Sequence, residues 1–118
     1  MHELSIASAI IDTAIRHADE RRVTAVHLRV GQLRQVVPAS LHFYFGHVAR
    51  GTLCEGARLE QEVVPARLRC GACGEDWALV AADFRCPFCG RAEVTVASGD
   101  ELEVESIDVE EREGACTA

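Results

Sequence analysis

Cys70-Gly-Ala-Cys73, twelve intervening residues, and then Cys86-Pro-Phe-Cys89 form the stretch that decides how the rest of the chain reads. Each CxxC pair sets two thiolates on one side of a tight backbone bend, and two such pairs at this separation can converge on one tetrahedral ion. Gly74 and Gly90, one residue past each pair, permit the left-handed conformation that aims backbone N–H groups at the sulfurs. The spacer has room for two strands and a turn, so a short hairpin is predicted between the pairs. Four buried cysteines without a common ligand are the plainer alternative, and the paired spacing weighs against it.

A closed set of four thiolates suits structural zinc, because it leaves no position for water or substrate. Iron competes, since Cys-Pro-Phe-Cys-Gly also resembles the knuckle of a rubredoxin-type electron carrier. Structural zinc contributes roughly 10 to 16 kcal/mol of apparent folding free energy, so removing it is expected to unfold a module with little core of its own.

Outward from this module, 118 residues suffice for one compact domain carrying a small insertion. There is no apolar run long enough to cross a bilayer and no secretory leader pattern, and four of six cysteines are assigned to metal. A reducing cytoplasm is the expected compartment. Cys54 reads as a small buried apolar residue and Cys116 as part of a frayed tail. The net charge of −7 comes from one segment: Asp100 to Glu113 holds eight acidic residues and one arginine, and the remainder balances. That distribution argues against nucleic-acid binding, which needs a basic surface. Arg67, Arg69, Arg85 and Arg91 surround the cysteines and read as the solvated face of the module, with an acidic partner as the alternative.

Residues 1–18 read as an amphipathic helix with Leu4, Ala7, Ile11, Ala14, Ile15 and Ala18 on one stripe. Val23 to Val30 alternates as a strand, with Val26, Leu28 and Val30 on one face and Ala25, His27 and Arg29 on the other. Pro38 suits a first helical turn, and Leu41, Tyr44, Phe45 and Val48 recur at helical spacing up to Gly51. Arg58 to Val64 is a second strand, and Pro65 marks the exit into the cysteine module. Glu101, Glu103 and Glu105 then alternate with Leu102 and Val104 before Ile107 and Val109 shift the phase, which a bulge near Ser106 explains. The predicted class is α+β: a three-stranded sheet covered by two helices, with a four-cysteine zinc-ribbon module inserted between its last two strands. The boundaries are 1–65 with 97–113 for the discontinuous α/β domain, 66–96 for the module and 114–118 for the tail.

Met1-His2-Glu3 is the second informative motif. Methionine is ordinarily removed only ahead of small side chains, so a free Met1 amine should persist beside His2. That amine, the His2 backbone nitrogen and the His2 imidazole can close fused chelate rings, an in-plane nitrogen set suited to square-planar Ni(II) or Cu(II). A lone histidine near a terminus is otherwise a solvated side chain.

Met-His-Glu-Leu-Ser-Ile at the start, the two CxxC pairs, and Ser-Gly-Asp-Glu-Leu-Glu-Val-Glu-Ser-Ile-Asp-Val-Glu afterwards together resemble the HypA/HybF family of nickel-insertion accessory proteins. The resemblance spans essentially the whole chain. It implies a metallochaperone that receives Ni(II) and helps deliver it to the NiFe-hydrogenase large subunit during maturation, working with a GTPase partner; some members also serve urease, which adds urease accessory proteins to the expected partners. Carried over by residue, Met1, His2 and Glu3 would bind nickel, while Cys70, Cys73, Cys86 and Cys89 would hold structural zinc. The chain departs from the family where some members complete the nickel sphere. No histidine follows His47 and no acid lies between Glu20 and Glu55, leaving Glu3, water, a second copy or a helix histidine such as His42.

The remaining residues read plainly: His17, His27, His42 and His47 as ordinary polar histidines, Trp77 and Phe84 as packing for the metal hairpin, and Glu101, Glu103 and Glu105 as a solvated sheet face or a dock for a basic partner. No nucleophile–base set, phosphate-cradling glycine loop or apolar carboxylate pair stands out, so the expected class is a non-enzyme that exists as monomer or homodimer. Its rivals are a zinc-ribbon interaction module without transient metal and the iron electron carrier.

Overall fold

A computed structural model of the chain describes residues 2–80 and 83–111, the side chain of His2 excepted. Met1, the His2 imidazole, Cys116 and the 114–118 tail lie outside the described residues. The elements run α1 (His2–His17), β1 (Val23–Gly31), a 3-10 turn (Gln32–Arg34), α2 (Pro38–Val48), β2 (Arg58–Val64), β3 (Arg67–Cys70), β4 (Asp76–Ala78), β5 (Val94–Ser98) and β6 (Leu102–Val109). One three-stranded sheet has the order β2-β1-β6 and a second the order β4-β3-β5, so β3 to β5 are inserted between the last two strands of the first sheet. The α+β class with its two helices and cysteine module is as the sequence predicts.

In α1, Glu3 in the first turn and Arg16 and His17 in the last complement the helix dipole. Its buried face is Ala7, Ile10, Ile11 and Ala14, continued by Ala18 just past its end, whereas Leu4 is 47% exposed and Ile15 only half-buried. The periodicity fixes the centre of the stripe correctly. It does not say which flank the neighbours cover, and here that is the side of Ile10. The helix stops where Asp19 and Glu20 turn left-handed.

The core of the helical unit joins this face to Leu41 and Phe45 of α2 and to Val23, Ala25, Val26 and Leu28 of β1. Ala25, predicted for the wet face, is fully buried, because β1 is the central strand and a small side chain there is covered by its neighbours. Cys54 is fully buried, as expected. In β6 the half-buried positions are Leu102, Val104, Ile107 and Val109, with Glu105 and Ser106 exposed in succession, so the phase slips where the sequence pattern does.

Contacts divide the chain into two compact units, the second being Arg29–Gln35 with Val63–Leu102. In that unit β3 is central and antiparallel to both neighbours, with Leu68 opposite Trp77 on one side and Val96 on the other. The spacer between the CxxC pairs does not form its own hairpin among the described residues. It supplies only β4, which pairs back onto β3 ahead of the first knuckle, and the Arg69 guanidinium donates to both Asp76 carboxylate oxygens at 2.7 and 3.1 Å across that pair.

Where the chain enters and leaves this unit it is locked by a set of short bonds. Leu33 N–H donates to the Gly99 carbonyl at 2.7 Å, Ala66 N–H to the Gln32 side-chain oxygen at 2.8 Å, and the Arg34 guanidinium to the Asp100 carbonyl at 2.7 Å. Gly99 is buried with φ +102°, and a Cβ there would press into Ala66 closer than real Cβ atoms approach. Gly99→Ala therefore combines backbone strain and overpacking of about 1–3 kcal/mol each. Urea unfolding of the variant should show a loss of about 2 kcal/mol or more; a midpoint equal to the parent's would contradict the close packing of Gly99 on Ala66.

Candidate metal centre

The two CxxC segments are built alike. In the first, Gly74 N–H donates to the Cys70 carbonyl at 2.9 Å and Cys70 N–H to the Glu75 carbonyl at 2.9 Å; in the second, Gly90 N–H donates to Cys86 at 2.8 Å and Cys86 N–H to Arg91 at 2.9 Å. Gly74 and Gly90 both sit at φ +77°, the left-handed turn that a Cβ resists. These turns expose N–H groups to sulfur, as the sequence predicts: Ala72 N lies 3.4 Å from Cys70 Sγ, and Phe88 N lies 3.4 Å from Cys86 Sγ.

Each knuckle thus contributes one buried and one exposed thiol, Cys70 with Cys73 and Cys86 with Cys89. All four Sγ atoms lie within 4.8 Å of one another, and the cross-knuckle pairs Cys70–Cys89 and Cys73–Cys86 are 3.6 Å apart. A tetrahedral ion with metal–sulfur bonds of about 2.3 Å requires S···S edges of about 3.8 Å, so the donor set fits a single ion. The Cys73 backbone N–H first, with the Ala72 N–H and neighbouring thiols, lowers the Cys70 thiol to about 7 against the opposing effect of desolvation. Cys73 accepts the Glu75 N–H, which lowers it, yet desolvation and the neighbouring thiols push it up to about 12. Four thiolates this close repel, and a shared cation is what allows all of them to ionise.

The aromatic residues around the knuckles do not behave uniformly. Trp77 is half-buried, while Phe84, predicted to pack the module, is 50% exposed, because β4 pairs with β3 and leaves the second half of the spacer outside the sheet.

At the other end of the chain, Glu3 is the buried charged side chain among the described residues, 6% exposed. Its carboxylate accepts the Val37 N–H at 3.2 Å, and the chain's amino group followed by that N–H hold it down at about 2, well below the ordinary carboxylate range. Sequence reasoning missed this link between α1 and α2. The signal was present in α2: Val37 at its N-cap has no side-chain cap, Pro38 has no N–H, and the first turn holds no acid, so the helix start required a partner from elsewhere. Of the remaining histidines, His17 Nδ1 bonds the Thr13 carbonyl at 2.9 Å, His27 Nε2 meets Asp108 at 3.0 Å, His42 is exposed, and His47 stacks on Phe43. No helix among the described residues is long and apolar enough to cross a membrane.

The family model described as "Hydrogenase/urease nickel incorporation, metallochaperone, hypA" matches residues 1–109. The chain is 42% identical over 110 residues to the hydrogenase maturation factor HypA of Geobacter metallireducens, covering 93% of this chain and 100% of that protein. It is also 42% identical over 116 residues to the HypA of Streptomyces avermitilis, covering 94% and 88%. The fold matches the solution structure of the Ni metallochaperone HypA from Helicobacter pylori with a TM-score of 0.67 at 21% identity, covering 91% of this chain and 96% of that one. A second solution structure of a HypA protein matches with a TM-score of 0.69 at 22% identity, covering 92% and 96%. With the family model spanning nearly its whole length, and two helices, a three-stranded sheet and an inserted four-cysteine cluster in place, the chain belongs to the HypA family of nickel-incorporation metallochaperones.

Proposed function

We propose that the chain carries Ni(II) at its N-terminus and hands it to the NiFe-hydrogenase large subunit during maturation, in company with a maturation GTPase, while Cys70, Cys73, Cys86 and Cys89 hold structural zinc. The cytoplasm is the compartment in which such maturation and reduced thiols coexist. The observation that carries the reading is the four-thiol cluster in a member of a nickel-incorporation family, a donor set made for a resident ion rather than for cargo. Among the described residues the thiol cluster has four donors and no fifth His, Cys, Asp or Glu grouped with them, which suits a resident ion. Cargo needs a site that binds firmly yet can release.

Met1, His2 and Glu3 form that second site. α1 begins at His2, and the first N–H groups of a helix have no intrahelical acceptor, so recruiting the His2 nitrogen to a metal breaks no helix bond. An amine, a backbone nitrogen and an imidazole select Ni(II) or Cu(II) over harder ions. None of these roles calls for catalysis by the chain.

Delivery tests the function. Protein loaded with one nickel per chain should transfer the ion to the large-subunit precursor in the presence of the GTPase, and His2→Ala should not; transfer by the variant at the parent rate would refute the assignment. Colour tests the resident ion. The loaded cluster should be colourless, whereas four thiolates around ferric iron would be red and would favour the electron carrier.

A further inference from the structure

Glu3 is one residue from His2, and its carboxylate already has partners. It is buried, and it accepts the N–H of Val37 at 3.2 Å. Val37 is the N-cap of α2, where no side chain of α2 caps the helix and its first turn carries no acidic residue. The bond therefore ties the first turn of α1 to the start of α2, and it supplies the negative charge that α2 lacks.

We infer that Glu3 is a positioning residue for the nickel site: its carboxylate stays seated on the start of α2, outside the metal's coordination sphere, and holds the Met1–His2 end in place for chelation. This rests on the nickel reading proposed above and specifies the part that Glu3 plays in it. Two physical consequences follow from the seat. A chain end costs conformational entropy to order around an ion, and an anchor at the third residue removes most of that cost before the metal arrives. The positive ends of helices also disfavour a cation, and both α1 and α2 start here; one buried carboxylate offsets both. To ligate the metal, Glu3 would have to surrender a buried hydrogen bond and leave the Val37 N–H without its acceptor.

Glu3→Gln and Glu3→Ala separate the two roles. The glutamine amide oxygen can still accept the Val37 N–H but offers no anionic ligand; alanine offers neither. In Ni(II) titrations of zinc-loaded protein read by calorimetry and by the visible absorption of bound nickel, Glu3→Gln should bind within about threefold of the parent. Glu3→Ala should bind about 10–100-fold more weakly, as for other residues that orient ligands without touching the metal. The nickel band should keep its position in both, because the donor atoms are unchanged, and deuterium exchange at the Val37 amide should quicken in Glu3→Ala alone. Equal weakening in both variants with a displaced band would make the carboxylate a ligand and overturn the inference, as would parent-like affinity in Glu3→Ala. If Glu3→Ala fails to fold, Glu3→Gln decides: an unmoved band at near-parent affinity supports the seat, and any other result overturns it. Failure of the parent to bind nickel at all is seen first and separately; it refutes the nickel reading and this inference with it.

Discussion

Stripping the resident metal from the four-cysteine cluster is expected to unfold the β3 to β5 module while the two helices stay formed. Between Arg67 and Ser98 the fully buried side chains among the described residues are Leu68, Cys70 and Cys86. Burying one leucine contributes about 1.5–3 kcal/mol. Ordering the backbone costs about 1–2 kcal/mol for every residue of that stretch. Metal binding of roughly 10–16 kcal/mol is the one contribution of the right size to hold two knuckles and three short strands together. The helical unit has its own core in Ile10, Ile11, Leu28, Leu41 and Phe45 and does not share the dependence. A chelator with reductant should collapse the amide dispersion of the module and spare the helical signal, and added zinc should restore it. Cys86→Ser, which removes a buried thiolate, should do the same without a chelator. Retention of slow amide exchange in β3 after complete metal removal would show that the module folds without the ion.

The second large effect concerns the chain end. Replacing His2 with alanine deletes the imidazole, and extending the chain ahead of Met1 turns the amine into an amide; each change breaks a chelate ring and leaves the thiol cluster intact. The expected loss of nickel affinity is at least about 100-fold for either, equivalent to about 2.7 kcal/mol. A similar affinity loss from Cys86→Ser with no change from either terminal alteration would place the cargo on the thiols instead.

The elements that carry a strong local pattern were legible in the sequence. Pro38 and the Leu41 and Phe45 spacing marked α2, Pro65 marked the exit from the first sheet, and the break at Ser106 marked a phase slip that the burial of Ile107 and Val109 reproduces. The convergence of the four sulfurs was legible because CxxC turns leave the backbone few alternatives. What the sequence hid were facts about neighbours. Ala25 is buried because β1 has a strand on each side, Ile10 and not Leu4 is inside because of where α1 is covered, and β4 pairs back onto β3, with Arg69 and Asp76 meeting across that edge. The seat of Glu3 on Val37 joins residues 34 positions apart, and no periodicity announces such a bond.

Calorimetric titration of Ni(II) into the zinc-loaded protein with a native N-terminus, beside His2→Ala and the extended form, tests the central claim most directly. About one nickel per chain should bind the native protein, and none at the same concentrations should bind the other two. Undiminished binding in both altered proteins would contradict it, and so would the absence of binding in the native one.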